Sequence, residues 1–151
     1  MSFYMPDGKI EVEVFGQKRI TQRVINDIND LLIMQHSKAD LTNEKELREH
    51  LKRSKLAVAW QDDDRVVAMG VLCRTYPISH WFGGIHNLIF RPSYDVRSIC
   101  PRIVNLLIKD IYDLEYVDAR VAKKDEDIIA VLQSIGFKEK IKSLYRLRFK
   151  R

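Results

Sequence analysis

The spacing of apolar residues divides the chain into strand-like and helix-like segments. Ile10 to Phe15 alternates apolar and charged residues, which is the period of a half-buried strand. The segment from Thr21 to Gln35 repeats its apolar residues at helical spacing instead. Its apolar positions are Val24, Ile25, Ile28, Leu31 and Leu32. The pattern therefore predicts a strand followed by an amphipathic helix.

A second helix and a hairpin follow in the pattern. Asn43 with Glu46 three residues later is typical of a capped helix start, and the helix carries Leu47 and Leu51. Two strand-like runs, residues 56–60 and 66–74, flank the polar residues 61–64, which predicts a β-hairpin.

The remaining chain alternates strands with helices. The pattern predicts a strand over 85–90, a helix over about 99–114, a strand over 116–121, a helix from Asp125 to the closing Gly136, and a strand over 140–149. The last strand is expected to place Ile141, Ser143, Tyr145, Leu147 and Phe149 on one face, opposite a face that is basic except for Leu144.

The order β, α, α, β, β, β, α, β, α, β predicts an α/β domain with a mixed central sheet and helices on both faces. With 151 residues, no internal repeat and no Pro/Gly/Ser-rich linker, residues 1–151 are expected to form one domain. Such a sheet buries every apolar stripe identified along the chain.

Composition narrows the class of protein. The chain is 46% hydrophobic and 31% charged, as in soluble globular proteins, and no apolar run approaches a membrane span. Its first residues do not read as a secretory signal. Cys73 and Cys100 form no CxxC motif, so a reducing, cytoplasmic setting without metal is expected.

The positive charge is concentrated at the C-terminus. The net charge is +5, yet the fourteen residues from Lys138 to Arg151 contain seven basic residues and one acidic residue. This segment either binds phosphates, an acidic protein or a nucleic acid, or it is a solvated strand whose charges protect a sheet edge.

Two local patterns, in register with the element order, resemble the GNAT superfamily of N-acetyltransferases. The run from Ile85 to Tyr94 (IHNLIFRPSY) is similar to the family's fourth strand and the approach to its cofactor loop. The run from Val121 through Asp125 to Gly136-Phe137 is similar to the family's second motif. The resemblance implies a GNAT-like fold and an enzyme that transfers an acetyl group from acetyl-CoA to a primary amine of a small molecule or a protein.

The resemblance also implies a cofactor site along the fourth strand and the loop after it. In the family, backbone N–H groups of that loop and the next helix hold the cofactor diphosphate. The corresponding cofactor-binding positions are Leu88, Ile89, Phe90, Val96, Arg97, Ser98, Ile99, Cys100, Arg102 and Asp125.

This loop departs from the family pattern at three positions. Asp95 replaces a glutamine or arginine, Ser98 replaces the first glycine, and Cys100 replaces the second small residue. Asp95 would repel a diphosphate, whereas Arg97 and Arg102 place two positive charges nearby. Leu132 stands where the family often carries a proton-donating tyrosine.

His86 and Tyr145 are the candidate catalytic residues. An imidazole is suited to general-base chemistry at neutral pH, so His86 either takes the proton of the amine or packs within the sheet. Strand alternation is expected to put His86, Leu88 and Phe90 on one face and Ile85, Asn87 and Ile89 on the other. Tyr145 on the last strand is the candidate proton donor.

His80 and Trp81 are the candidate substrate-binding residues, because they precede a glycine pair and an aromatic residue that could line an acceptor pocket. Trp81 could equally cover the core. His36 and His50 are expected at the helix surfaces. A second hypothesis is a catalytically inactive GNAT-fold module that binds a protein or nucleic acid through the basic C-terminal strand.

Overall fold

The computed structural model describes residues 9–38, 40–75, 81–111 and 113–149. Its strands are β1 (Ile10–Val14), β2 (Ser54–Gln61), β3 (Arg65–Thr75), β4 (Phe82–Phe90), β5 (Tyr116–Arg120), β6 (Lys138–Ile141) and β7 (Leu144–Arg148). Its α-helices are α1 (Gln22–Gln35), α2 (Glu44–Arg53), α3 (Val96–Ile108) and α4 (Glu126–Ile135). Among the described residues the strands form one mixed sheet in the order β1-β2-β3-β4-β5-β7-β6. The predicted α/β class is confirmed.

Two hydrophobic clusters cover the two faces of the sheet. Helices α1 and α2 pack on one face through a cluster that includes Ile28, Leu31 and Trp60. Helices α3 and α4 pack on the other face, where Ile103 and Leu132 are fully buried. We call these the α1 face and the α3 face. Helices therefore cover both faces, as the apolar stripes predict.

Short-range chemistry fixes several element boundaries. The side chains of Thr21 and Asn43 accept hydrogen bonds from the backbone N–H of the third helical residue, at 3.2 and 2.9 Å, which starts α1 and α2. Gly136 ends α4 with φ of 124°, a conformation that favours glycine. Asp62 and Asp63 both have positive φ, which closes the β2–β3 hairpin. These boundaries confirm the sequence predictions.

Helix α3 begins and ends earlier than its apolar spacing predicts. It spans Val96–Ile108, while Ile111 and Leu114 are buried in the connection to β5 rather than on the helix. The Nζ of Lys55 donates to the carbonyls of Leu106 and Lys109 at 2.9 and 3.1 Å, satisfying groups that would otherwise continue the helix. Helical spacing persists past the helix end because the turn points the same residues at the core.

The C-terminal segment was predicted as one strand, and that prediction is wrong. The structure shows a hairpin in which β6 and β7 pair antiparallel around Ser143, whose φ is 66°. The turn changes which side chains share a face, so Leu144 is buried and Ile141 is 60% exposed. Strand β6 becomes the exposed edge of the sheet.

Candidate active site

Strands β4 and β5 separate partway along their length. They pair in parallel from Phe82 opposite Tyr116 to Ile85 opposite Ala119. Beyond Ile85, β4 stays paired with β3 as far as Phe90, but within the described residues it has no partner on β5. The two strands therefore open a cleft that exposes one backbone edge of β4.

A β-bulge lies on β4 at the mouth of this separation. Val71 on β3 pairs with His86, and Met69 pairs with Ile89, so β4 contains one more residue than β3 between these two pairs. Asn87 has φ of 51°, in the left-handed region that asparagine tolerates better than most residues. Its side-chain Nδ2 donates to Oε1 of Gln35 on α1 at 3.0 Å. The bulge is thus tied to the helix above it.

The bulge changes which side chains share a face. Leu88 packs on the α3 face, where its Cδ1 lies 3.0 Å from the position that a Cβ on residue 70 would occupy. Ile85 and Phe90 belong to the same cluster, whereas Ile89 belongs to the cluster under α1. The predicted grouping of His86 with Leu88 and Phe90 is therefore wrong, because an inserted residue reverses strict alternation.

His86 lies on the α1 face, exposed to solvent and on the wall of the cleft. Its imidazole folds back over Gly84, and a Cβ atom on residue 84 would lie 2.8 Å from Nε2. Gly84 stands opposite Asp118 on β5, one residue before the strands part. The candidate base thus stands where the cleft opens, and it is not buried in the sheet.

The cleft has a volume of about 780 Å³. Its walls come from β4, from β5 and the turn that follows it, and from the start of α4. Of the sequence-predicted site residues it brings together His86, Leu88 and Asp125. Arg120 and Lys124 also line it, and sequence reasoning missed both. Their contribution depends on where β5 ends relative to β4, which no local pattern reports.

The start of α3 is occupied by the chain's own carboxylates. Asp95 caps the helix, and its Oδ1 accepts a hydrogen bond from the backbone N–H of Arg97 at 3.0 Å. The guanidinium of Arg97 in turn pairs with Asp127 on α4, with Nε 2.7 Å from Oδ1. A groove of about 410 Å³ lies here and shares Lys124 with the cleft. The expected diphosphate site is therefore adjacent to the cleft, but its backbone N–H and its arginine already have partners within the protein.

The other predicted cofactor positions differ in accessibility. Val96 lines the groove and Ser98 is exposed, whereas Ile99 and Cys100 lie on the side of α3 that packs on the sheet and are fully buried. Burial raises the pKa of the Cys100 thiol to about 12. The guanidinium of Arg102 reaches β1, where it donates to the carbonyl of Ile10 at 2.9 Å. Arg97 alone among the two predicted arginines thus points along the groove.

The structure does not bring Tyr145 to the cleft. Tyr145 is 6% exposed in the cluster on the α3 face and is not among the described residues that line the cleft. Trp81 is 46% exposed just before β4, where its carbonyl accepts from the N–H of Glu115 at 2.9 Å. Leu132 is fully buried. His80 lies outside the described residues, so its predicted role stays a prediction.

A second cavity of about 840 Å³ lies between α1, α2 and the sheet. Asn87 lines both this cavity and the cleft, so the two meet at the bulge. His50, expected at the helix surface, lines the cavity instead. Its pKa is lowered by burial and by nearby Arg53. Helical periodicity alone missed this residue, because the cavity exists only once α2 packs over the sheet.

Comparison with known protein families assigns most of the chain to one family. Residues 24–137 match the family described as the Acetyltransferase (GNAT) family. No curated protein matches the sequence. Among the described residues, no helix has the length and apolar character needed to cross a membrane.

Solved structures share the fold at low sequence identity. An aminoglycoside acetyltransferase from an uncultured soil metagenomic sample, solved with sisomicin, aligns with a TM-score of 0.70 and 12% identity, covering 96% of this chain and 97% of that one. An acetyltransferase from Trypanosoma brucei aligns with a TM-score of 0.68 and 16% identity, covering 94% and 99%. Glucosamine-6-phosphate N-acetyltransferase from Arabidopsis thaliana aligns with a TM-score of 0.66 and 9% identity, covering 94% and 97%.

Proposed function

Because the chain belongs to the GNAT family of acetyltransferases, we propose that it is an acyl-CoA-dependent N-acyltransferase that acts on a small molecule bearing a primary amine. The observation that carries this proposal is the cleft at the β4–β5 separation with His86 on its wall. A reaction between two bound molecules needs both reacting groups held at one place, and the cleft meets the second cavity at Asn87.

The cleft fits the arm of an acyl-CoA. Beyond Ile85 the β5-facing edge of β4 has no strand partner within the described residues, so its backbone groups are available to an extended amide chain. Ile128 and Leu144 add apolar surface to the lining. The thioester of acetyl-CoA would supply the activated acyl group there.

The diphosphate end fits less well. The first helical N–H groups of α3 are already engaged, because Asp95 accepts from Arg97 through its side chain and from Ser98 and Ile99 through its carbonyl. A diphosphate must therefore compete with Asp95, or bind at the groove near Lys124 and Arg97. We expect cofactor affinity to depend on these two basic side chains rather than on the helix start.

The proposed role of His86 is to accept a proton from the acceptor amine. A protonated amine has no free electron pair, so that proton must leave before the nitrogen attacks the thioester carbon; the carbon–sulfur bond then breaks and CoA leaves as the thiol, with a proton taken from water. His86 is exposed on the cleft wall beside the bulge. An exposed imidazole can pass the proton on to water.

The second cavity is the proposed place of the acceptor. Its volume of about 840 Å³ is that of a pocket for a small molecule. An apolar floor that includes Ile28 and Met69 lies below polar side chains that include Thr42 and Glu46. This combination favours a small amine with an apolar body.

Binding of acetyl-CoA tests the proposal first. Calorimetry should show saturable heat, and acetyl-CoA should raise the melting temperature, since a ligand that binds only the folded state stabilises it. When a panel of primary amines is then added to the protein and acetyl-CoA, at least one amine should cause the release of free CoA. Absence of both heat and thermal shift at millimolar acetyl-CoA would remove the proposal.

A second candidate function is binding of a nucleic acid at the basic hairpin. Every residue of β6 is exposed, including Lys138 and Lys140, and Lys142 follows in the turn. Phosphate contacts would make the affinity fall steeply between 50 and 200 mM salt. Filter binding that shows no retention of single-stranded nucleic acid at low salt would exclude this function.

A further inference from the structure

Gly84 is the residue that gives the His86 imidazole its place. The three heavy atoms nearest to a Cβ built on residue 84 all belong to the His86 ring, with Nε2 at 2.8 Å, Cε1 at 3.5 Å and Cδ2 at 3.6 Å. Real Cβ atoms do not approach another heavy atom as closely as 2.8 Å, so any side chain at this position must displace the ring. The imidazole can lie back along β4 only because residue 84 has no side chain.

The strand geometry explains why these two residues meet. Residues two apart on a strand face the same side, and both Gly84 and His86 precede the bulge at Asn87. Gly84 is still paired with β5 through Asp118, whereas His86 is the first residue beyond the last pair, Ile85 with Ala119. The ring therefore lies over the last paired part of the sheet, at the rim of the cleft.

We propose that Gly84 is a positioning residue for proton transfer: its missing side chain sets where the Nε2 of His86 stands at the mouth of the cleft. This inference rests on the proposed function, in which His86 accepts the amine proton. Displacing a reacting group by about 1 Å can lower a rate by roughly a hundredfold, so the place of the ring matters as much as its presence.

Substitution by alanine at residue 84 is a clean perturbation. Gly84 is not among the residues with positive φ, so its backbone accepts an alanine without strain. The new Cβ would meet only the end of an exposed, rotatable side chain, which can swing toward solvent. Gly83 offers no such clean change, because its Cβ would meet Leu114 and Leu72 in the core at 3.0 and 3.1 Å.

The experiment is a double-mutant cycle of Gly84→Ala and His86→Ala. Gly84→Ala alone should lower kcat by roughly ten- to a hundredfold while the dissociation constant of acetyl-CoA stays unchanged. In the His86→Ala background the same substitution should have no further effect, because its target is gone. Gly16→Ala is the matched control, since a Cβ there meets nothing within 4 Å.

A structural readout accompanies the kinetics. In the wild-type protein, the imidazole Hε1 of His86 should show a nuclear Overhauser contact with the α-protons of Gly84, and Gly84→Ala should abolish that ring-to-backbone proximity. The dependence of kcat on pH should keep its wild-type shape in Gly84→Ala and change in His86→Ala, since the first variant moves the proposed base and the second removes it.

The outcomes separate this inference from the function it rests on. If His86→Ala is impaired but Gly84→Ala is not, or if Gly84→Ala lowers kcat equally in both backgrounds, Gly84 does not act through His86 and the inference is wrong. If His86→Ala has normal turnover, the base assignment itself fails. An unmoved ring in Gly84→Ala overturns the inference whether or not acetyl-CoA binds.

Discussion

The rim of the cleft on β4 and the start of α3 are joined by one short loop, yet their polar groups have different partners. On β4, the bulge and the bare backbone of Gly84 leave the His86 ring at an open wall. At α3, Asp95 engages the N–H of Arg97, and Asp127 pairs with the guanidinium of the same residue. The polar groups on β4 are exposed on the cleft wall, whereas those at the start of α3 pair with each other.

Under the proposed function, we therefore expect the reaction rate and the cofactor affinity to depend on different parts of the molecule. A change on β4 should alter the rate with little effect on cofactor affinity. A change at α3 should alter cofactor affinity with little effect on the chemical step.

The largest expected effect comes from removing the imidazole. His86→Ala should lower turnover by roughly 10²–10⁴-fold, the usual contribution of a general base, while acetyl-CoA affinity stays within twofold of wild type. Steady-state kinetics and calorimetry measure the two quantities. His36→Ala, at the exposed end of α1 and outside both cavities, is the control. A folded His86→Ala variant with normal turnover would place catalysis elsewhere.

The bulge should be the next most sensitive point. Asn87→Val puts a β-branched residue at φ of 51°, which costs about 1–2 kcal/mol of unfolding free energy, and we expect turnover to fall about tenfold as the bulge relaxes. Asn87→Gly keeps the left-handed backbone and loses only the bond to Gln35. Urea unfolding and kcat compare the two variants. Equal behaviour would mean that the side-chain bond, and not the backbone conformation, maintains the site.

Neutralising the cap of α3 should strengthen cofactor binding. Asp95→Asn removes a negative charge beside the expected diphosphate while an amide oxygen can still accept from Arg97, so the dissociation constant of acetyl-CoA should fall roughly fivefold. Combining Asp95→Gln with Ser98→Gly should also strengthen binding but weaken the helix start. Calorimetry measures the change, and weaker binding by Asp95→Asn would show that the cap orders the site.

A smaller gain is expected from releasing Arg97. The ion pair with Asp127 is exposed on both sides and such pairs contribute little, so Asp127→Asn should improve acetyl-CoA affinity by about twofold. Arg97→Ala should weaken it. Glu44→Gln removes an acid from a comparable exposed pair on α2 and controls for net charge. Affinity that follows net charge in both variants would contradict a specific role for Arg97.

The smallest effect is expected at Cys100, which stands where the family has its second small residue: we expect no chemical labelling of its thiol. Because burial raises the pKa of Cys100 to about 12, very little of its thiol is ionised at pH 8, and the thiolate is the reactive form. Iodoacetamide should therefore leave Cys100 unmodified in the folded protein, with or without acetyl-CoA. Mass spectrometry of the labelled protein measures this. Rapid labelling at Cys100 would show that α3 opens to the groove.

Local sequence patterns were enough to predict the helices, most of the strands and their order along the chain. Strand and helix periods differ, and the caps at Asn43 and Gly136 depend on hydrogen bonds and backbone angles within a few residues. The sequence also indicated a strand that lines the cleft, because His86 is the only strongly titratable residue in the run from Ile85 to Phe90. These features depend on residues that are close together in the sequence, so the sequence alone is enough to predict them.

Which side chains contact each other depends on how the elements pack, and no local pattern predicts it. Whether Leu88 and Phe90 share a face with His86 depends on the inserted residue at Asn87, because strict alternation holds only while both strands advance together. Arg102 reaches β1 and Arg97 reaches α4, since long side chains choose partners that are far away in sequence. The β6–β7 turn buried Leu144 and exposed Ile141. The cleft itself is the gap left where β5 ends, and a gap between two strands has no signature in either strand alone.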